Sequence, residues 1–162
     1  MGAECHHPDG VHPGLKGSAL NHALGAAEQR CAATQERLTA PRRRVLELLL
    51  ESNSPQKAYD LIAAFGAHGE PAKPPTVYRA LEFLERLGFA HRIESLNAYV
   101  PCRIDGQSHR AAFLICDCCG ATREVAGPAD DAMDRAAQEA GYVIARTTIE
   151  AHGRCAACRD VA

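Results

Sequence analysis

The sequence predicts an α+β chain of two small units, a helical one that ends in a β-hairpin and an α/β one of about fifty residues. Three observations carry that expectation. Apolar residues recur at helical spacing in successive segments up to Gly88, two short alternating runs flank Leu96-Asn97, and past Pro101 strand-like and helix-like stretches alternate up to a final Cys-x-x-Cys.

Taken in order, residues 1–17 are rich in Gly, Pro and His without an apolar period and are expected to form a flexible tail. From Ser18, read as an N-cap, SALNHALGAAEQRCAATQ is Ala-rich and helical. Thr39 and Pro41 open a second helix, APRRRVLELLLES, that buries Val45, Leu46 and Leu49. Ser54-Pro55 repeats the start signal for KAYDLIAAFG, where Ala58, Leu61, Ile62 and Phe65 form one stripe that stops at Gly66 to Gly69. Pro74-Pro75 begins TVYRALEFLERLG, with Val77, Leu81 and Leu84 facing inward. Tyr78, Arg79, Glu82 and Arg86 face outward, and Gly88 closes the helix.

FAHRIESLNAYVPC then reads as a hairpin turning on Leu96-Asn97. Three helices followed by a two-stranded hairpin is the order of a winged helix-turn-helix, assigned to residues 18–101. The polar CRIDGQSHR, residues 102–110, is expected as a hinge. Residues 111–162 follow as strand AAFLIC, strand TREVA, helix PADDAMDRAAQEAG, strand YVIARTTIEA and the closing HGRCAAC. That second unit is small enough to need a staple.

Composition narrows the function classes. With 46% hydrophobic and 23% charged residues the chain is globular. No run approaches the roughly 18 apolar residues of a membrane span. MGAECHHPDGVHPGLKG lacks the charged start and apolar centre of a secretory signal, so the expected compartment is the cytoplasm. There cysteine clusters signal metal or catalysis more often than disulfides. Lys and Arg number 18 against 20 Asp and Glu, a net charge of -2, which excludes a protein that coats nucleic acid indiscriminately. Any DNA binding must rest on a few placed groups.

ICDCCGATREV carries Cys116, Cys118 and Cys119, and HGRCAAC carries Cys155 and Cys158. Two Cys-x-x-Cys pairs at turns that end strands supply the four thiolates of a structural zinc site. The separation of the pairs by residues 120–154 exceeds a zinc ribbon's, so the chain between them must fold back. A thioredoxin-like redox pair is the other reading, but that motif opens a helix, whereas CDCCG lies between strand-like runs. Cys118 falls outside the x-x spacing and is expected to be a spare exposed thiol.

A two-residue turn at Leu96-Asn97 would put His91 opposite Cys102, with β-carbons about 5 Å apart. His109 ends the linker and Glu124 lies on the strand after the first Cys pair. Nitrogen plus one thiolate in such a set suits zinc better than iron or manganese. On spacing alone, a surface His and a solvated strand Glu are the plainer reading.

PPTVYRALEFLERLGFAHRIES, YVPC, FLICDCCGATREV and IEAHGRCAAC together closely resemble the ferric uptake regulator family and, within it, the zinc uptake regulator branch. The likeness spans about residues 20–160. It implies a dimeric metal-sensing transcription factor, with an N-terminal winged helix and a C-terminal α/β dimerisation domain. By that resemblance Cys116, Cys119, Cys155 and Cys158 hold a structural zinc, and His91, Cys102, His109 and Glu124 hold a regulatory one. Tyr78 and Arg79 fall at the family's DNA-reading positions, and Lys73 and Arg42 to Arg44 are left for phosphates or for no role. The iron-sensing branch carries a His-rich segment of the HHxH type before its first Cys pair. Here it is reduced to SHRAAFLIC, a departure that points to zinc and puts a third metal site in doubt.

The function so implied is zinc-dependent repression, a zinc-loaded homodimer binding palindromic double-stranded operators of zinc-uptake genes. Two alternatives stay open, an iron-, manganese- or peroxide-sensing regulator of the same family and a zinc enzyme using Glu124 or His109. The enzyme would need an open coordination position and a spare general base. His152 is ambiguous between a further metal site and a local turn role, and Cys5, His6, His7 and His12 between loose metal binding and simple solvation.

Overall fold

The structure is a computed structural model, described here for residues 14–66, 72–103, 111–128 and 131–159. Its elements run α1 (Gly17–Ala33), α2 (Ala40–Glu51), α3 (Ala58–Phe65), α4 (Pro74–Arg86), β1 (Ala90–Ile93), β2 (Ala98–Pro101), β3 (Ala111–Cys116), β4 (Thr122–Ala126), α5 (Ala132–Glu139) and β5 (Thr148–Gly153). They fall into two compact units, divided after Arg103.

In the first unit the apolar stripes meet in one core. Leu20, Leu24, Ala27 and Cys31 of α1 pack with Val45, Leu46 and Leu49 of α2, Leu61 of α3 and Val77, Leu81 and Leu84 of α4. Each fully buried Leu or Val contributes about 1.5–3 kcal/mol, so this layer dominates the unit's stability. β1 and β2 pair antiparallel as the wing. Tyr99 of β2 exchanges both backbone hydrogen bonds with Gln56, just ahead of α3, at 2.7 and 2.8 Å. The wing is thereby tied to the first helix of the helix-turn-helix.

α4 ends as its sequence dictates. Gly88 takes φ +69, which lets its N–H reach Glu85 O at 3.0 Å and the N–H of Phe89 reach Leu84 O at 2.8 Å. α1 ends in the same double bond pattern with Gln35 at φ +58, a position where the sequence offers no glycine to signal it.

Several local expectations are corrected. Helix α1 starts at Gly17, with Lys16 rather than Ser18 at the cap position and no side-chain cap bond. The tail expected through residue 17 is anchored by Leu15, which packs on the core and donates to Leu50 O at 2.7 Å. Residues 1–13 lie outside the described residues. The hairpin turns on four residues, Glu94 to Asn97, because Asn97 accepts φ +47 and its N–H bonds Glu94 O at 3.1 Å.

In the second unit the sheet order is β4-β3-β5, with β4 antiparallel and β5 parallel to β3. Phe113 and Ile115 supply most of a thin core. The expected strand YVIARTTIEA forms only from Thr148, which stands opposite Ala111, the first described residue of β3, so the stretch before it has no partner strand among the described residues. α5 buries none of its residues, and Leu114, Met133, Tyr142 and Val143 remain exposed.

Candidate metal sites and nucleic-acid interface

The parallel register explains how two distant Cys pairs meet. Cys116 at the end of β3 stands beside Gly153 at the end of β5, and the N–H of Asp117 extends the ladder to Gly153 O at 2.8 Å. Each strand then runs straight into a Cys-x-x-Cys turn. In the first, Gly120 at φ +72 returns its N–H to Cys116 O at 2.9 Å, a conformation suited to glycine. In the second, the N–H groups of Cys158 and Arg159 both bond Cys155 O at 2.9 Å.

The four sulfurs of Cys116, Cys119, Cys155 and Cys158 all lie within 4.8 Å of one another. Cys119 Sγ and Cys155 Sγ are 3.8 Å apart. A tetrahedron with Zn–S bonds of about 2.3 Å has edges of about 3.8 Å, so the set fits a zinc ion. Cys118 is exposed and stands outside the foursome.

The electrostatics fit the same ion. Burial pushes the Cys116 thiol up, but N–H donors from Cys119, Cys155 and Cys118 outweigh it and bring the group down from 9.0 to about 6. Burial and then the neighbouring sulfurs push Cys158 the other way. Four thiolates cannot share this volume without a cation to offset their charge.

His152 of β5 shares a 2.9 Å hydrogen bond, through Nδ1, with Asp117 in the first turn. That contact is a local one, between β5 and the first Cys-x-x-Cys turn.

On the wing, the longer turn shifts the register. His91 pairs with Val100, and the N–H of Cys102 donates to Phe89 O at 2.9 Å, so the expected direct opposition of His91 and Cys102 is replaced by a diagonal one. A shift of two residues keeps both on the same face, where diagonal neighbours stand about 7–8 Å apart and long side chains still reach each other. In the second unit, Glu124 lies on β4 opposite Phe113, partly exposed. His109 lies outside the described residues.

α4 presents Tyr78 at 52% exposure, with Arg79 beside it and Lys73 at the N-cap position, all on the outer side. The three arginines left for phosphates or for no role have partners within the fold. The guanidinium of Arg42 stacks 3.5 Å from the Phe83 ring and donates to Arg37 O at 2.7 Å, Arg43 pairs with Glu28 at 2.9 Å, and Arg44 with Glu47 at 2.7 Å. Arg42 and Arg43 brace α2 against its neighbours, while Arg44 pairs within α2 itself.

Residues 33–152 match the ferric uptake regulator family. The chain belongs to that family. It is 44% identical over 140 residues to the zinc uptake regulation protein of Escherichia coli (strain K12), covering 85% of this chain and 82% of that one. A zinc uptake regulator solved in complex with zinc and DNA superposes with a TM-score of 0.80 at 42% identity, over 90% of this chain and 98% of that one. Holo XcZur follows at 0.75 and 38%, over 85% and 97%.

As a ferric uptake regulator family member, the chain joins an N-terminal winged-helix DNA-binding domain to a C-terminal α/β dimerisation domain. The tetrathiol centre belongs wholly to the C-terminal unit, while His91 and Cys102 sit on the wing of the DNA-binding unit. One residue with no signal in the sequence stands out: Arg30 of α1 donates to Leu87 O at 3.0 Å, at the C-terminal end of α4. An arginine in an Ala-rich helix reads simply as a solvated charge.

Proposed function

We propose that the protein is a zinc-responsive transcriptional repressor whose zinc-loaded homodimer binds palindromic operators of zinc-uptake genes. The observation that carries the reading is the likeness, at 42% identity and TM-score 0.80, to a zinc uptake regulator complexed with zinc and DNA. It acts in the cytoplasm, where its operators are. No helix among the described residues is long and apolar enough to cross a membrane.

Each subunit takes two zinc ions. The structural one is held by Cys116, Cys119, Cys155 and Cys158, whose four sulfurs leave no open coordination position for a substrate, which argues against a zinc enzyme at that centre. The thin core of the C-terminal unit gives the reason for such a staple. The exposed Leu114, Met133, Tyr142 and Val143 of that unit support a second copy as the partner that covers them.

The regulatory ligands are His91, Cys102, His109 and Glu124. The shared wing face of His91 and Cys102 supports the first two, and a nitrogen-plus-thiolate donor pair favours zinc. Because this ligand set draws on both units, its occupancy selects the posture in which the two winged helices match two half-sites of one operator. Arg79 can bond guanine bidentately, Tyr78 can pack on a thymine methyl, and Lys73 meets the backbone.

Genome-wide mapping of bound DNA with and without zinc tests the function. Zinc-dependent occupancy of palindromes upstream of zinc-transport genes is expected. Occupancy that follows iron or manganese and ignores zinc would overturn the reading.

A further inference from the structure

A side chain of α1 reaches the join between α4 and β1 from outside. Arg30, in the last turn of α1, donates Nη2 to Leu87 O at 3.0 Å, and its guanidinium carbon lies 4.4 Å from the centroid of the Phe89 ring. Leu87 and Phe89 flank Gly88, which has no side chain of its own to fix the bend. Two threads leave this clamp. Phe89 leads directly into β1, where His91 is the second residue, and Phe89 O accepts the N–H of Cys102 at 2.9 Å.

We infer that Arg30 is a positioning residue for the wing's metal ligands, fixing the Leu87–Phe89 bend from which His91 and Cys102 are both hung. The inference rests on the regulatory role proposed above for that pair. Groups that orient metal ligands without touching the metal are worth roughly 10- to 100-fold in metal affinity. Arg30 is suited to the task because a planar guanidinium can bond a carbonyl in its plane and stack on a ring with its face. Since Leu87 is also the C-cap of α4, the same clamp sets the exit of the helix that carries Tyr78 and Arg79.

The test is cobalt(II) titration of the full-length chain with its tetrathiolate zinc retained, reading the sulfur-to-cobalt charge-transfer band that Cys102 supplies. Arg30→Met is expected to weaken cobalt binding about 10-fold or more, with Arg30→Lys recovering only part of the loss. Arg86→Met serves as the comparison, because it breaks the 2.8 Å pair with Glu36 without touching the bend, and it is expected to leave the band's midpoint unchanged. Wild-type affinity in Arg30→Met overturns the inference, and so does an equal loss in Arg86→Met, which would reduce Arg30 to ordinary stabilisation. A band that survives in Cys102→Ser removes Cys102 from the ligands, overturning the regulatory reading itself and this inference with it.

Discussion

The backbone N–H of Cys155 donates to Sγ of Cys116 at 3.3 Å, tying the last Cys-x-x-Cys turn to the first. The bond exists because β5 runs parallel to β3 and ends beside it, so the chain after Gly153 enters the same space as the chain after Cys116. A carboxylate or imidazole in place of either sulfur would not preserve the close spacing of this foursome.

Cys155→Ser should therefore lose one zinc per chain and with it the folded C-terminal unit and the dimer, since binding and folding are one equilibrium at such a site. Cys118→Ser should keep its zinc. Metal content by mass spectrometry of the native chain and the oligomeric state by light scattering read both. A dimeric, zinc-replete Cys155→Ser would refute the structural role.

Cys102→Ser should leave the dimer and the tetrathiolate intact yet abolish zinc-dependent binding to an operator fragment. Gel-shift titration at fixed zinc measures this, and wild-type affinity in the mutant would remove Cys102 from the sensor.

Along α4, Arg79→Ala should cost about 1–3 kcal/mol against the matched operator and relax preference at a single base position. Lys73→Ala should weaken binding to all sequences alike and lower the salt slope by about 1. Binding to an operator panel at several salt concentrations separates the two. Identical behaviour of both mutants would mean that Arg79 reads no base.

Stability should divide by site. Leu84 is 0% exposed in the core of the first unit, so Leu84→Ala should cost about 2–5 kcal/mol. Gly120 holds φ +72 with nothing within 4 Å of an added Cβ, so Gly120→Ala should cost only the backbone strain, about 1–2 kcal/mol. Urea unfolding followed by circular dichroism gives both values.

The helices were legible wherever period and punctuation agreed. α4 begins at Pro74 and closes at Gly88 as read, because a proline at the first turn and a glycine at the stop are backbone constraints written into single residues. The wing's register was not, because Leu96-Asn97 gives no glycine to enforce a two-residue turn and the chain took four. Arg42, Arg43 and Arg44 were left for phosphates or for no role, and their contacts within the fold were not legible, because whether a cation meets a Phe ring or a carboxylate depends on the neighbouring helix, which no local pattern states.

By itself, the sequence determined that two Cys-x-x-Cys pairs belong together, that Cys118 stands apart, and that a helix carrying Tyr78 and Arg79 precedes a wing, since thiolate spacing and apolar period are local properties. Only the tertiary structure decided how Cys116 comes beside Gly153, which residue faces His91 across the wing, and what holds the bend at Gly88. Those depend on strand register and on contacts between residues far apart in the chain, such as Arg30 and Leu87, and packing sets both.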